Sequence, residues 1–257
     1  MYPIESLYRY PVKGLSAEAL QAVTLQAGQA FPLDRQFAIT NGAWEFQAEG
    51  YSPRPKTDFL VLVNLEQLAE YHSDYDAARN VLTLRSPDGI EHPFNLGLEA
   101  DRQALAGIFQ RRFSERLKGT PQVVEAEGIR FTDVSVISEP MMNAISLINL
   151  ASVEAFAADI GAEVDPMRFR ANVYFRTQTP WEELDWVGRE VRIGEAVGTV
   201  VLRTRRCVAT NVNPGTAVRD LSIPKSLMQL YGHPDMGVYI ELQRGGQVRV
   251  GDPLQLL

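Results

Sequence analysis

Short apolar stretches separated by polar and turn residues fill the first 65 positions, at 22–25, at 36–40 where Phe37 and Ile39 alternate with polar neighbours, and at 59–63. A period of two with frequent breaks predicts short strands. A further apolar run at 81–84 stops at Ser86-Pro87-Asp88-Gly89 and resumes at Ile90, which predicts a hairpin whose turn is built by proline, aspartate and glycine. From 99 to 117 the period changes: Leu105, Ile108, Phe109 and Phe113 recur at helical spacing among charges, predicting an amphipathic connector helix. Gly119-Thr120-Pro121 breaks the chain there. A second helix is predicted with Ser152 as its N-cap, Val153, Phe156 and Ile160 on its apolar face and Gly161 as its C-terminal cap.

The last third returns to strands at 172–175, 190–193, 199–202, 238–242 and 248–250, punctuated by glycines. Many short strands with regular glycine turns predict a closed or nearly closed barrel. The expected fold is mainly β with a few helices (α+β), arranged as two β-barrel-like subdomains, 1–118 with its connector helix and 119–257.

Composition narrows this picture only slightly. A chain of 257 residues, 45% hydrophobic and 22% charged, excludes collagen, coiled coil and wholesale disorder. A net charge of -7 argues against a nucleic-acid partner. The first twenty residues hold no apolar core of a signal peptide, and no apolar run of 18 occurs anywhere, so no membrane partner is expected. A single cysteine, Cys207, rules out an intrachain disulfide and a four-thiolate cluster and suits a reducing, cytoplasmic setting.

Charge becomes informative when it is mapped. Between Asp165 and Arg219 nine arginines face six acids, whereas the rest of the chain carries 16 basic and 26 acidic residues. An anion is expected to dock there, since arginine matches phosphate geometrically. The competing reading pairs several of these arginines with surface acids such as Glu182 and Glu190. Cys207 follows Arg203-Thr204-Arg205-Arg206 directly, and nearby cations favour a thiolate, the form that acts as nucleophile or soft metal ligand. From spacing alone Cys207 could be an inert buried thiol, a redox-active thiol, an acyl-transfer nucleophile or a ligand to a metal carried by an anionic cofactor. Phosphate-loop, dinucleotide, zincin and serine-hydrolase motifs are absent, and His72, His92 and His233 are too scattered to suggest a metal pair.

Several blocks, taken in order, resemble the MOSC (molybdenum cofactor sulfurase C-terminal) family. Tyr10-Pro11-Val12-Lys13-Gly14-Leu15 and Leu33-Asp34-Arg35-Gln36-Phe37 are similar to the N-terminal β-barrel domain that accompanies it. Residues 145–152, Arg168-Phe169-Arg170-Ala171-Asn172, Trp186-Val187-Gly188, Arg205-Arg206-Cys207 with Thr210 and Asn213-Pro214, Gly237-Val238-Tyr239 and Val250-Gly251-Asp252-Pro253 resemble the MOSC domain itself. The likeness covers 1 to about 45 and about 130 to 257. That family includes the mitochondrial amidoxime reducing component and its bacterial relatives.

The resemblance implies a molybdenum cofactor (molybdopterin) held between the two β subdomains, with Cys207 as metal ligand and catalytic residue. It assigns Lys13, Gly14 and Arg35 to the cofactor from the first subdomain, and Arg170, Arg205, Arg206 and Tyr239 from the second. Thr132, Asp133 and Ser135 are expected to offer backbone and hydroxyl contacts to the pterin. Where some relatives carry serine, Gly14 leaves only its backbone N–H to meet the phosphate. The implied activity is a molybdenum-dependent oxidoreductase that reduces N-hydroxylated small molecules. With one cysteine and no dinucleotide motif, electrons are expected from a separate iron–sulfur, haem or flavin protein. The alternatives are a non-catalytic carrier of the cofactor or of sulfur on Cys207, and a thiol sensor or pyridoxal-phosphate-linked protein. Substrate loops are expected near residues 44–54 and 231–236.

Overall fold

Val191 and Ile193 point inward from the strand Glu190–Ile193 while Glu190 and Arg192 face out, and the same alternation begins the strand Ala196–Arg205. One-sided burial of this kind needs a partner surface, and closing the sheet on itself supplies one. In the computed structural model, which describes residues 1–257 apart from the side chain of Glu139, seven strands close into a ring. Around it run Val173–Phe175, Ile145–Asn149, Asp235–Arg244, Ala196–Arg205, Glu190–Ile193, Pro253–Leu256 and Tyr2–Arg9, which returns to Val173–Phe175. Ile4, Leu7, Ile145, Leu147, Val173, Phe175, Val191, Ile193, Val200, Val238, Ile240 and Leu254 fill its interior. The antiparallel pair Ala22–Leu25 and Gly246–Arg249 packs Val23, Leu25 and Val248 into the same core.

Ile145–Asn149 and Val173–Phe175 are the parallel pair of the ring. Parallel neighbours require a crossover, and the helix Leu150–Ile160 makes it. Asn149 rather than Ser152 is its N-cap, accepting from the Ala151 N–H, and Gly161 closes it in the left-handed conformation as expected. Ser152 lies inside the first turn, where Glu183 engages its hydroxyl at 2.9 Å.

A second core lies beside the ring. It gathers Val12, Leu15, Phe37, Ile39, Leu82, Leu84, Leu105, Phe109 and Phe113. Phe37–Ile39 pairs with Val123–Glu125, while His72–Asp76, Val81–Arg85 and Glu91–Asn95 form a meander. The helix Glu99–Phe113 packs on this unit through Leu105, Phe109 and Phe113. Its strands form these two small sheets, with no closed ring among the described residues. Tyr2–Arg9 also pairs with Glu18–Leu20, but a division at 118/119 would separate it from both its neighbours in the ring, which therefore draws on both sides of that point.

The apolar run 59–63 is not a strand. Phe59 makes a single bridge to Thr40, after which Asn64 and Leu65 donate back to the Val61 carbonyl in a turn. Phe59, Leu60 and Val61 are all buried, and burial without alternation does not distinguish a strand from a packed turn.

Candidate functional site

Cys207 stands two residues beyond the end of the ring strand Ala196–Arg205, after Arg206, and caps the short 3-10 helix Val208–Asn211. Its carbonyl accepts from the Thr210 N–H at 3.1 Å and from Thr210 Oγ1 at 2.8 Å, which fixes the turn that presents the thiol. Arg206 folds back into the protein, donating through Nε to the Met236 carbonyl at 2.8 Å and through Nη1 to that of Phe169 at 3.0 Å. Its Nη2 is buried with no partner. Gly237 makes room for this guanidinium: it sits at φ +76, and a Cβ there would lie 2.3 Å from the Leu147 carbonyl oxygen and 3.2 Å from Arg206 Nη2.

The facing wall comes from the second unit and the loop before it. Asp34 Oδ1 accepts from the Tyr10 N–H at 2.8 Å, and its other oxygen pairs with Arg35. Lys13 is buried, donates to the Phe131 carbonyl at 2.9 Å and pairs with Asp133. Gly14 follows at φ +87, where a Cβ would lie 2.3 Å from the Leu60 carbonyl oxygen; no larger residue fits without moving that backbone. Lys56 Nζ reaches in from the loop that precedes the buried turn, 3.1 Å from Asp133 Oδ2 and 3.2 Å from Cys207 Sγ.

These groups surround one cleft of about 940 Å³. Of the eleven residues expected at the site, all but Ser135 border it. Ser135 is buried and its hydroxyl donates to the Thr132 carbonyl at 2.8 Å, so it braces the loop that carries Thr132 and Asp133. The expected substrate segment 44–54 lies elsewhere: Trp44, Phe46 and Tyr51 join Phe59 and Phe131 in an aromatic cluster. Of 231–236 only Asp235 borders the cleft. An apolar side built by Val134, Ile137, Leu184, Val187 and Leu202 faces the charged walls instead.

Electrostatics separate the arginines into two sets. Arg168 pairs with Asp220, Arg176 with Glu154 and Glu5, Arg203 with Asp185, and Arg219 with Glu66. Glu182 and Glu190 are not among the partners. Arg170, Arg205 and Arg206, which border the cleft, have no carboxylate partner among the described residues. Burial lowers the pKa of Arg170 and of Arg206, and lowers that of Lys13 despite Asp133. The Asp133 side chain is 46% exposed, and the desolvation it suffers in the cleft is outweighed by Lys13 and Lys56, which hold its carboxyl well below the usual range. Burial likewise disfavours the charge on Lys56, but Asp133 and Cys207 more than compensate and raise it. Buried cations held without counter-charge are stabilised by an incoming anion. Burial pushes the Tyr239 phenol up, so it faces the cleft as a neutral donor.

Sequence reasoning missed Lys56 and Tyr10. Both guanidinium carbons of Arg35 and Arg170 lie 4.3 Å from the Tyr10 ring centroid, a contact that no linear spacing reveals. Lys56, in Pro53-Arg54-Pro55-Lys56, is a basic residue in a loop and has no signature of its own.

Fold and cleft together define a β-barrel protein that presents one thiol within a cationic, partly apolar cavity. The chain belongs to the MOSC-domain family, whose profile, described as "MOSC domain", matches residues 126–255. Among curated proteins it is 30% identical over 123 residues to mitochondrial amidoxime-reducing component 1 of Mus musculus, covering 43% of this chain and 36% of that one. It is 32% identical over 120 residues to the Homo sapiens protein of that name, covering 40% and 35%. The match thus spans little more than a third of the length of these relatives. Among solved structures, YiiM from Geobacillus stearothermophilus is 22% identical over 44% of this chain and 53% of that one, with TM-score 0.35. The YUAD protein from Bacillus subtilis is 12% identical over 98% and 93%, with TM-score 0.45. No helix is long and apolar enough to cross a membrane.

Proposed function

We propose that this chain binds a molybdenum cofactor in the cleft and reduces N-hydroxylated compounds, with Cys207 as the protein's ligand to the metal. The observation that carries this reading is the position of the single thiol beside arginines that have no carboxylate partner. Among the described residues no group of three or more His, Cys, Asp or Glu side chains converges to hold a bare metal ion. A metal that arrives already bound by an anionic cofactor needs only one soft protein donor, and a thiolate suits it. The buried, unpartnered Nη2 of Arg206 fits an anionic group.

When bound, the cofactor supplies a two-electron metal centre at which an N–OH group, two electrons and two protons give N–H and water. The chain's own residues do the rest. Lys13, Arg35, Arg170, Arg205 and Arg206 supply positive charge to the anion, and Thr132, Asp133, Gly14 and Tyr239 border it with hydrogen-bonding groups. Leu184, Val187 and Leu202 remove water from the side that a carbon skeleton would occupy. Electrons are supplied by a separate iron–sulfur, haem or flavin protein, and the single thiol fits a reducing, cytoplasmic compartment.

The deciding experiment is elemental analysis of protein made in a host that synthesises the cofactor, followed by amidoxime reduction with an artificial electron donor. Wild type should carry near one molybdenum per chain and turn over; Cys207→Ala should lose most of the metal and all turnover. Metal without turnover would instead identify a cofactor carrier, and no metal in the wild type would refute the reading altogether.

A further inference from the structure

Lys56 opens the 3-10 turn Lys56–Asp58, which is anchored from below: Asn41 Nδ2 donates to the Thr57 carbonyl at 2.7 Å and the Asn41 N–H donates to that of Asp58 at 2.9 Å. Arg54 pairs with Asp58 at 2.8 Å across the same turn. The base of the side chain is therefore fixed, and its ammonium has two acceptors, Asp133 Oδ2 at 3.1 Å and Cys207 Sγ at 3.2 Å. The other oxygen of Asp133 engages Lys13, which the Phe131 carbonyl holds in place. Lys13, Asp133, Lys56 and Cys207 thus form one hydrogen-bonded chain that runs from the interior to the sulfur.

We propose that Lys56 is a positioning residue for the Cys207 sulfur, donating a hydrogen bond to Sγ that persists when the sulfur serves as a metal ligand. This rests on the cofactor reading above. A sulfur lone pair that accepts a hydrogen bond gives less electron density to the metal, and an adjacent positive charge stabilises the more reduced, more negative state. Both effects act in one direction: Lys56 raises the reduction potential of the site. Because the ammonium is a compact charge held by Asp133, Lys56→Gln removes the charge and Lys56→Met removes charge and hydrogen bond together.

The test loads wild type, Lys56→Gln, Lys56→Met and Lys56→Arg in a cofactor-producing host. It measures molybdenum per chain, then the molybdenum potentials by redox titration followed with electron paramagnetic resonance. The expected result is metal retained and reduction disfavoured about tenfold in Lys56→Met, about 59 mV for a one-electron couple, with Lys56→Arg restoring most of the shift. Metal lost from the Gln and Met variants but kept in Lys56→Arg also supports the role, because the cation then keeps the sulfur in the ligand position. Metal retained with wild-type potentials in Lys56→Met overturns this inference and leaves the cofactor reading standing. No molybdenum in the wild type overturns both.

Discussion

Arg35 donates through Nη2 to the main-chain carbonyl of Arg170 at 2.9 Å, so a side chain from one wall of the cleft fixes the backbone of the other. Both residues adopt the left-handed conformation, at φ 47 and φ 51, and both guanidinium groups lie against Tyr10. Burial first, and the charge of Arg35 after it, lower the pKa of Arg170, with Asp34 offsetting part of the repulsion. Such an arrangement is relieved by a bound anion.

The two arginines should therefore respond differently to removal. Arg170 has no side-chain hydrogen bond within the described residues, so Arg170→Gln should leave the melting temperature near that of the wild type. Its retained molybdenum should fall about tenfold or more, from loss of a charge-assisted bond of roughly 1.5–3 kcal/mol. Arg35→Ala should lower both, because it also frees Asp34 and the Arg170 carbonyl. Thermal melts beside elemental analysis check this; matching losses of melting temperature in the two variants would count against it.

Serine at position 14 should not improve phosphate binding in this chain. Gly14→Ser places a Cβ against the Leu60 carbonyl at a positive φ, which costs on the order of 1–3 kcal/mol or more. A lowered unfolding midpoint in denaturant, with no gain in retained cofactor, is the expected result.

Glu183 gives a pH dependence with a definite sign. It is fully buried, and its Oε2 accepts from Asn149 Nδ2 at 2.8 Å and Ser152 Oγ at 2.9 Å while Oε1 has no partner. Burial raises its pKa above the ordinary glutamate value despite these bonds. The folded state thus binds the proton more tightly than the unfolded chain. Its contribution to stability is complete below the unfolded pKa and is lost as pH rises through the folded one. Glu183→Gln keeps an oxygen for both donors and removes the charge. Melting temperatures at pH 5 and pH 8 should differ less in the variant than in the wild type, and an unchanged difference would exclude Glu183 as the source.

Arg168 lies in the arginine-rich stretch and beside the cleft, yet it serves the fold. Its Nη2 meets both oxygens of Asp220 at 2.7 and 2.9 Å, and its Nη1 donates to the Asn211 carbonyl at 3.0 Å. Arg168→Met should destabilise the protein by about 1–3 kcal/mol, discounted for the partly exposed carboxylate, because buried carbonyls lose their donor. Its molybdenum content, measured below the melting transition, should fall less than that of Arg170→Gln.

Much of this was legible in the sequence, and the omissions have physical reasons. Period-two segments such as 190–193 and the 81–95 hairpin formed where alternation and turn residues predicted them, and Gly161 ended its helix. The run 59–63 misled because Phe59, Leu60 and Val61 are buried in succession, leaving no alternation to read. Ser152 has the chemistry of a cap, but Asn149 lies at the true strand end, and a buried carboxylate claims the serine. The cleft residues on either side of Cys207 could be named from motif blocks. Lys56 could not, since its role depends on meeting residues 77 and 151 positions away.

The seam at Tyr2–Arg9 bears on the order of events during folding. Its neighbours in the ring are Val173–Phe175 and Pro253–Leu256, so that strand closes the ring only with segments far along the chain. Such distant pairings carry a large loop-closure entropy and form late. Lys13 and Arg35 lie in the segment after that strand, whereas Cys207 is carried by the opposite side of the ring, so the two walls of the cleft meet only once the seam closes. Under the proposed function, a chain whose seam is still open would offer the cofactor only half a site.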